Sequence, residues 1–318
     1  MRRAIRMRCA LHVKGDRMAF GDYPLGMAYD YRKRKELELG DIKRNLKSKD
    51  TSRKLSVRTS IGFVDIYLYY PQQDPSKVTH NVVVWNYHGG GFVLRDWELD
   101  IPYCQKVADR SGCLVVNVDY ATGPEYKFPT PQMTSYEVLR YCAQHHEEMG
   151  LPSNDFVLCG HSAGGNLAAA LCELVTGGDG INIVGLVMDY PSLKPMLAVR
   201  SCLDGSRAIP QERMEQYATW AFTCEADLSH PLAAPILAKD VAWPKTLINV
   251  SEFDSLALEG EEFGQQLKEQ GVSVDVKRYA GCMHGFTHSC FAHEYNEAAS
   301  EDAWSRIAAF VSQLDGES

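Results

Sequence analysis

Phe156-Val157-Leu158-Cys159-Gly160-His161-Ser162-Ala163-Gly164-Gly165-Asn166 is an apolar run that ends in a serine held between two glycines, followed by the small, helix-competent stretch Leu167-Ala168-Ala169-Ala170-Leu171. A strand turning sharply into a helix leaves no room for side chains two positions before and after the residue at its tip. Glycine at 160 and 164 supplies that room. The residue at the tip sits in strained backbone, with the N-terminus of a helix favouring negative charge that develops there. Ser162 is therefore a candidate acyl-enzyme nucleophile, and Ala163 after it offers a backbone N–H to an oxyanion. The pattern G-x-S-x-G also arises in ordinary glycine-containing loops, so it needs independent support.

That support lies upstream, where Asn81-Val82-Val83-Val84-Trp85-Asn86-Tyr87 reads as a buried strand running into His88-Gly89-Gly90-Gly91-Phe92. Clustered glycine usually means only a flexible turn. Glycines also let backbone N–H groups converge on an oxyanion, and an HGGG loop is the partner that a serine elbow requires. Each motif predicts the other.

The two motifs, about seventy residues apart, resemble those of the hormone-sensitive-lipase-like carboxylesterases, which carry HGGG and G-D-S-A-G-G-N. Val118-Asp119-Tyr120 with Pro124-Glu125 and Phe128-Pro129 is similar to the family's D-Y-x-x-x-P-E segment, although Ala121-Thr122-Gly123 replaces the usual residues between. Asp254-Ser255-Leu256-Ala257-Leu258-Glu259-Gly260 resembles its D-P-L-x-D-E-G, and His284-Gly285-Phe286 its H-G-F. The resemblance runs from about residue 55 to 312 and implies an α/β-hydrolase with a helical cap. It also implies an oxyanion hole of Gly90, Gly91 and Ala163 and short-to-medium-chain esters as substrates. Its aspartate before the serine is His161 here, which alters the hydrogen bonding expected beneath the elbow.

Chemistry asks for the same partners, because a serine hydroxyl needs a base and the base needs an acid to hold its tautomer. Asp254 follows the apolar strand Thr246–Val250 and His284 follows Val274–Tyr279, so each belongs on a loop at a strand's C-terminal end, where active sites of open α/β sheets lie. His161 adjoins the serine, but neighbours at a strand end point in opposite directions. His288 competes with His284 by its four-residue offset, and the family match selects His284. Glu252 and Glu259 are the rivals of Asp254, and Glu259 matches a family glutamate that is not the triad acid.

Eight strand-like runs occur, at 55–60, 63–70, 82–88, 114–120, 155–160, 185–190, 245–250 and 274–279. The first two flank Ile61-Gly62 as an antiparallel hairpin, and from Val82 onward strands alternate with helical stretches, which argues for parallel pairing. The expectation is an N-terminal cap segment at 1–50 and a catalytic domain at 51–318 with a cap insertion at about 193–235. Arg32-Lys33-Arg34-Lys35 reads as a solvated helix face. Pro210 to Phe222 reads as an amphipathic helix ending before Cys224. Caps of this kind bury part of an ester, so Phe92, Tyr217, Trp220, Phe222 and Phe286 are candidate pocket walls, against the plainer reading that such aromatics pack a core.

With 318 residues, 45% hydrophobic and 23% charged, at a net charge of -8 and pI near 5.7, the chain suits one large domain with a deep core and gives no support for nucleic-acid binding. No apolar segment approaches the ~20 residues that cross a bilayer, and the basic first ten residues lack the apolar centre of a signal peptide, so a cytoplasmic location without stable membrane insertion is expected. The ten cysteines contain no C-x-x-C pair; they read as reduced thiols, with Cys159 and Cys172 buried, and neither a metal nor an organic cofactor is called for. The expected partner is a small-molecule ester, and the family resemblance leaves a homodimer possible. The same machinery also suits an amide or formamide, and a non-catalytic receptor of this fold would have lost the base.

Overall fold

The computed structural model describes residues 20–175, 179–195 and 206–314. Its eight strands are β1 (Arg53–Thr59), β2 (Gly62–Tyr69), β3 (Val83–Tyr87), β4 (Leu114–Asp119), β5 (Asp155–His161), β6 (Asn182–Asp189), β7 (Lys245–Phe253) and β8 (Val274–Met283). They form one sheet in the order β1-β2-β4-β3-β5-β6-β7-β8. β1 and β2 make the antiparallel hairpin, with Thr59 opposite Gly62, and β2 runs antiparallel to β4. From β4 through β8 the pairing is parallel, which brings the carboxyl ends of β3, β5, β7 and β8 to one edge.

The helices are α1 (Leu25–Lys49), α2 (Ile101–Ser111), α3 (Thr130–Gln144), α4 (His146–Met149), α5 (Ala163–Leu174), α6 (Gln211–Ala221), α7 (Ala257–Glu269) and α8 (Glu297–Ser312). A strand covered on both faces must be apolar on both, and β5 shows it. Phe156 and Leu158 pack with Val138, Leu139 and Leu167 of α3 and α5, whereas Val157 and Cys159 pack with Val107, Ile307 and Val311 of α2 and α8. The eight cysteines among the described residues are free, and Cys159 and Cys172 are buried.

Helices α1 and α6 pack against each other, with the Tyr31 ring 5.9 Å from the rings of Tyr217 and Trp220. The charge run in α1 departs from the expected solvated face. Four consecutive residues at 100° each are spread over 300° of the helix surface, so they cannot all share one solvated face, and one of them turns inward. That residue is Arg32: its Nε donates to the Val93 carbonyl at 2.6 Å, its Nη1 contacts both Glu125 oxygens at 2.6 and 2.7 Å, and its Nη2 reaches Thr122 and the Gly123 carbonyl. Gly123 in turn admits α6, since a Cβ there would lie 2.7 Å from the Trp220 carbonyl. The departure from the family's segment after β4 thus makes room for α6. Lys127 completes the joint by donating to the carbonyls of Thr219 and Phe222 at 3.0 and 2.9 Å, where a cation offsets the helix's C-terminal dipole.

Candidate active site

Ser162 stands between β5 and α5 with φ 54° and ψ −115°, a conformation that costs a non-glycine residue about 1–3 kcal/mol and persists only where its surroundings enforce it. The enforcement is steric. A side chain on Gly164 would strike the carbonyls of Tyr87 and His88, one on Gly160 would strike the Gly164 carbonyl, and one on Gly165 would come within 2.9 Å of Pro191. The Ser162 N–H donates to the Asp189 carbonyl at 3.0 Å, tying the turn to β6.

His284 follows β8 and Asp254 follows β7. His284 Nε2 lies 2.9 Å from Ser162 Oγ, and its Nδ1 lies 2.7 Å from Asp254 Oδ2. The other Asp254 oxygen accepts from the Leu256 N–H at 3.0 Å, so the carboxylate is held at both ends. The Asp254 side chain is fully buried, and the His284 ring is partly open to solvent at 19%. Serine, imidazole and carboxylate stand in series, and the arrangement can draw a proton from the hydroxyl. The rivals are engaged elsewhere: Glu252 accepts from the Gly281 N–H at 2.6 Å, and Glu259 from the Leu193 N–H at 2.8 Å.

The glycine loop flanks the serine. A Cβ on Gly89 would lie 3.6 Å from Ser162 Cβ, and Gly90 and Gly91 have φ of 112° and 62°. Ala163 is the first residue of α5, where backbone N–H groups have no partner within the helix. Tyr217 of α6 lies over Gly91, whose missing side chain leaves the space its ring fills.

A cleft of about 540 Å³ holds Ser162 and His284. Phe92, Tyr217 and Phe222 are on its walls. Trp220 and Phe286, read as candidate walls, are absent from them and 1% and 0% exposed. Trp220 turns to Tyr31 of α1, and Phe286 packs between Tyr190 and Tyr279; at these positions the plainer reading of aromatics as core applies.

The two histidines set aside as bases meet in a second cluster under the elbow. His288 Nε2 lies 2.9 Å from Asp100 Oδ1, and its Nδ1 lies 3.0 Å from the Tyr190 hydroxyl. His161 sits between Asp100 and Asp189 at 3.5 and 3.4 Å. Burial pushes the His161 imidazole pKa down, but the facing carboxylates outweigh it and leave it raised. For Asp100, burial pushes upward and the imidazoles of His161 and His288 prevail, lowering it to about 2. Among the described residues, Asp100, His161 and His288 are the one group with ligand atoms close enough, within 4.8 Å, to surround a cation. The carboxylate already has two imidazole partners. The Tyr190 ring lies 4.8 Å from the His284 ring, so the cluster also backs His284. Asp100 carried no sequence signal: with Asp96 and Glu98 it belongs to an acidic stretch before Ile101-Pro102 that looks like any helix start.

The family described as alpha/beta hydrolase fold matches residues 84–288, the span that carries the glycine loop, the elbow, Asp254 and His284. The chain belongs to that family. This α/β-hydrolase is similar to the esterase LipI of Mycobacterium tuberculosis, 28% identical over 237 residues that cover 73% of each chain. It is also similar to an arylesterase of Saccharolobus solfataricus, 29% identical over 68% of this chain and 71% of the other. Among solved structures, a thermostable carboxylesterase cloned from a metagenomic library superposes with a TM-score of 0.78 at 27% identity, covering 91% of this α/β-hydrolase and 97% of that chain. The resemblance to hormone-sensitive-lipase-like carboxylesterases thus extends through the whole sheet. No helix among the described residues is long and apolar enough to cross a membrane.

Proposed function

We propose that this α/β-hydrolase is a carboxylic ester hydrolase working through an acyl-enzyme, with Ser162 as nucleophile, His284 as base and Asp254 as the acid that orients it. The observation carrying the reading is the unbroken series Asp254–His284–Ser162 at 2.7 and 2.9 Å. As Ser162 Oγ bonds to the acyl carbon, its proton passes to His284 Nε2 and the carbonyl oxygen becomes an oxyanion facing the N–H groups of Gly90, Gly91 and Ala163. Collapse expels the alcohol, which takes that proton; water then repeats the sequence on the acyl-enzyme. The esterase names of the relatives favour ester over amide.

The cleft of about 540 Å³ suits a short-to-medium acyl chain. The reading assigns its cap to residues 1–50 and about 193–235, of which 1–19 and 196–205 lie outside the described structure. Initial rates on p-nitrophenyl esters from acetate to decanoate test the reading, run beside Ser162→Ala and His284→Ala. Activity should peak at short to medium chains and fall by about four to six orders of magnitude in each variant. Folded wild-type protein inert on every ester, or a Ser162→Ala variant that keeps its rate, would refute it.

A further inference from the structure

Arg213, in the first turn of α6, lines the cleft together with Ser162 and His284. Its guanidinium lies over the Tyr31 ring, 3.7 Å from the centroid, and its Nη1 is buried with no hydrogen-bond acceptor. A charged donor left unpaired in a buried position is costly, and such a group in a native structure calls for an absent partner. The acids of its own helix are engaged elsewhere: Glu215 accepts from Tyr23 at 3.1 Å and from Gln211 at 3.0 Å, and Glu212 from Gln216 at 3.1 Å.

The rest of the cleft adds positive charge. Arg207, whose guanidinium lies 3.6 Å from the Phe253 ring centroid, and Lys194 also line it. Of the acids there, Asp96 is paired with Lys43 at 2.8 Å and Asp100 is enclosed by His161 and His288, which leaves Glu294 on the segment after β8. Arg213 precedes Tyr217 by four residues, about 6 Å along the helix, and Tyr217 covers Gly91 of the oxyanion loop. Arg213 and Ser162 share one cleft, so an anion held by Arg213 can belong to the same bound molecule as the scissile carbonyl. A planar guanidinium whose Nη1 has no acceptor matches a carboxylate.

We propose that the pocket selects esters bearing a carboxylate, which Arg213 binds. This rests on the ester-hydrolase reading above. The test compares kcat/KM on charged and neutral partners in two arms. In the acyl arm, mono-p-nitrophenyl adipate is set against p-nitrophenyl hexanoate. In the alcohol arm, 4-acetoxybenzoate is set against its methyl ester. Wild type should favour the anionic member of one arm by about tenfold or more, and that arm assigns the carboxylate to the acyl or the alcohol side. Arg213→Gln should erase the preference, and Arg213→Lys, which keeps a charge but loses the fork, should retain part of it. Hydrolysis of the neutral esters without anionic preference in either arm, or a preference unchanged in Arg213→Gln, overturns the proposal while leaving the esterase standing. Failure of wild type on all four compounds removes both.

Discussion

His161 adjoins Ser162 yet points beneath it, between the carboxylates of Asp100 and Asp189. The alternation of side chains along a strand predicts that direction and sets His161 aside as a partner of Ser162, while the family match selects His284 over His288. What His161 meets there was illegible, because Asp100 arrives from the start of α2, sixty-one positions earlier in the sequence. The cluster makes a stability prediction with a definite sign. Asp100 is depressed to about 2 from 3.8, so its contribution is present above pH about 4 and drains away as pH falls through about 2. The His161 imidazole is raised, so its contribution is full below about 6.5 and is lost as pH climbs through the raised value. Asp100→Asn, which leaves two imidazoles facing a neutral amide, should lower stability by about 3–5 kcal/mol at neutral pH and flatten the acid limb of a melting-temperature profile. An unchanged profile would mean the cluster is not ionised.

The turn from β5 to α5 was readable because its requirement is local: Gly160, Gly164 and Gly165 each face backbone or a proline that excludes a side chain. The seating of the cap was not. Arg32 lies in a run of four cations that looks solvated by composition, and only its helical direction, on the side of Ala28 and Tyr31, turns it inward to Glu125. Arg32→Ala should free α1, seen as faster amide hydrogen exchange across residues 25–49 with the central strands unaffected; uniform protection would contradict the anchoring role. Gly123→Ala places a Cβ against the Trp220 carbonyl. It should displace the end of α6 and raise KM more than it lowers kcat, because α6 walls the cleft while Ser162 and His284 hang from the sheet.

Across the molecule, strand number and the change from hairpin to parallel pairing could be read from spacing. The order in which β3 and β4 exchange places could not, since register between distant strands leaves no local mark. That order brings Ser162, Asp254 and His284 together from β5, β7 and β8, with β8 at the sheet's edge. Edge elements open at lower free energy than the centre. Urea should therefore abolish ester hydrolysis at lower concentration than it shifts the fluorescence dominated by core residues such as Trp85, buried in β3. Coincident midpoints would show that the edge and the core unfold as one unit.

The Tyr31 ring beneath the Arg213 guanidinium belongs to α1, outside the span 84–288 that defines the family. The cleft is thus assembled from two stretches of one polypeptide, Arg213 lying inside the matched span and Tyr31 before it. Exchanging the leading helix would therefore rebuild one wall of the cleft while leaving Ser162, Asp254 and His284 on their strands.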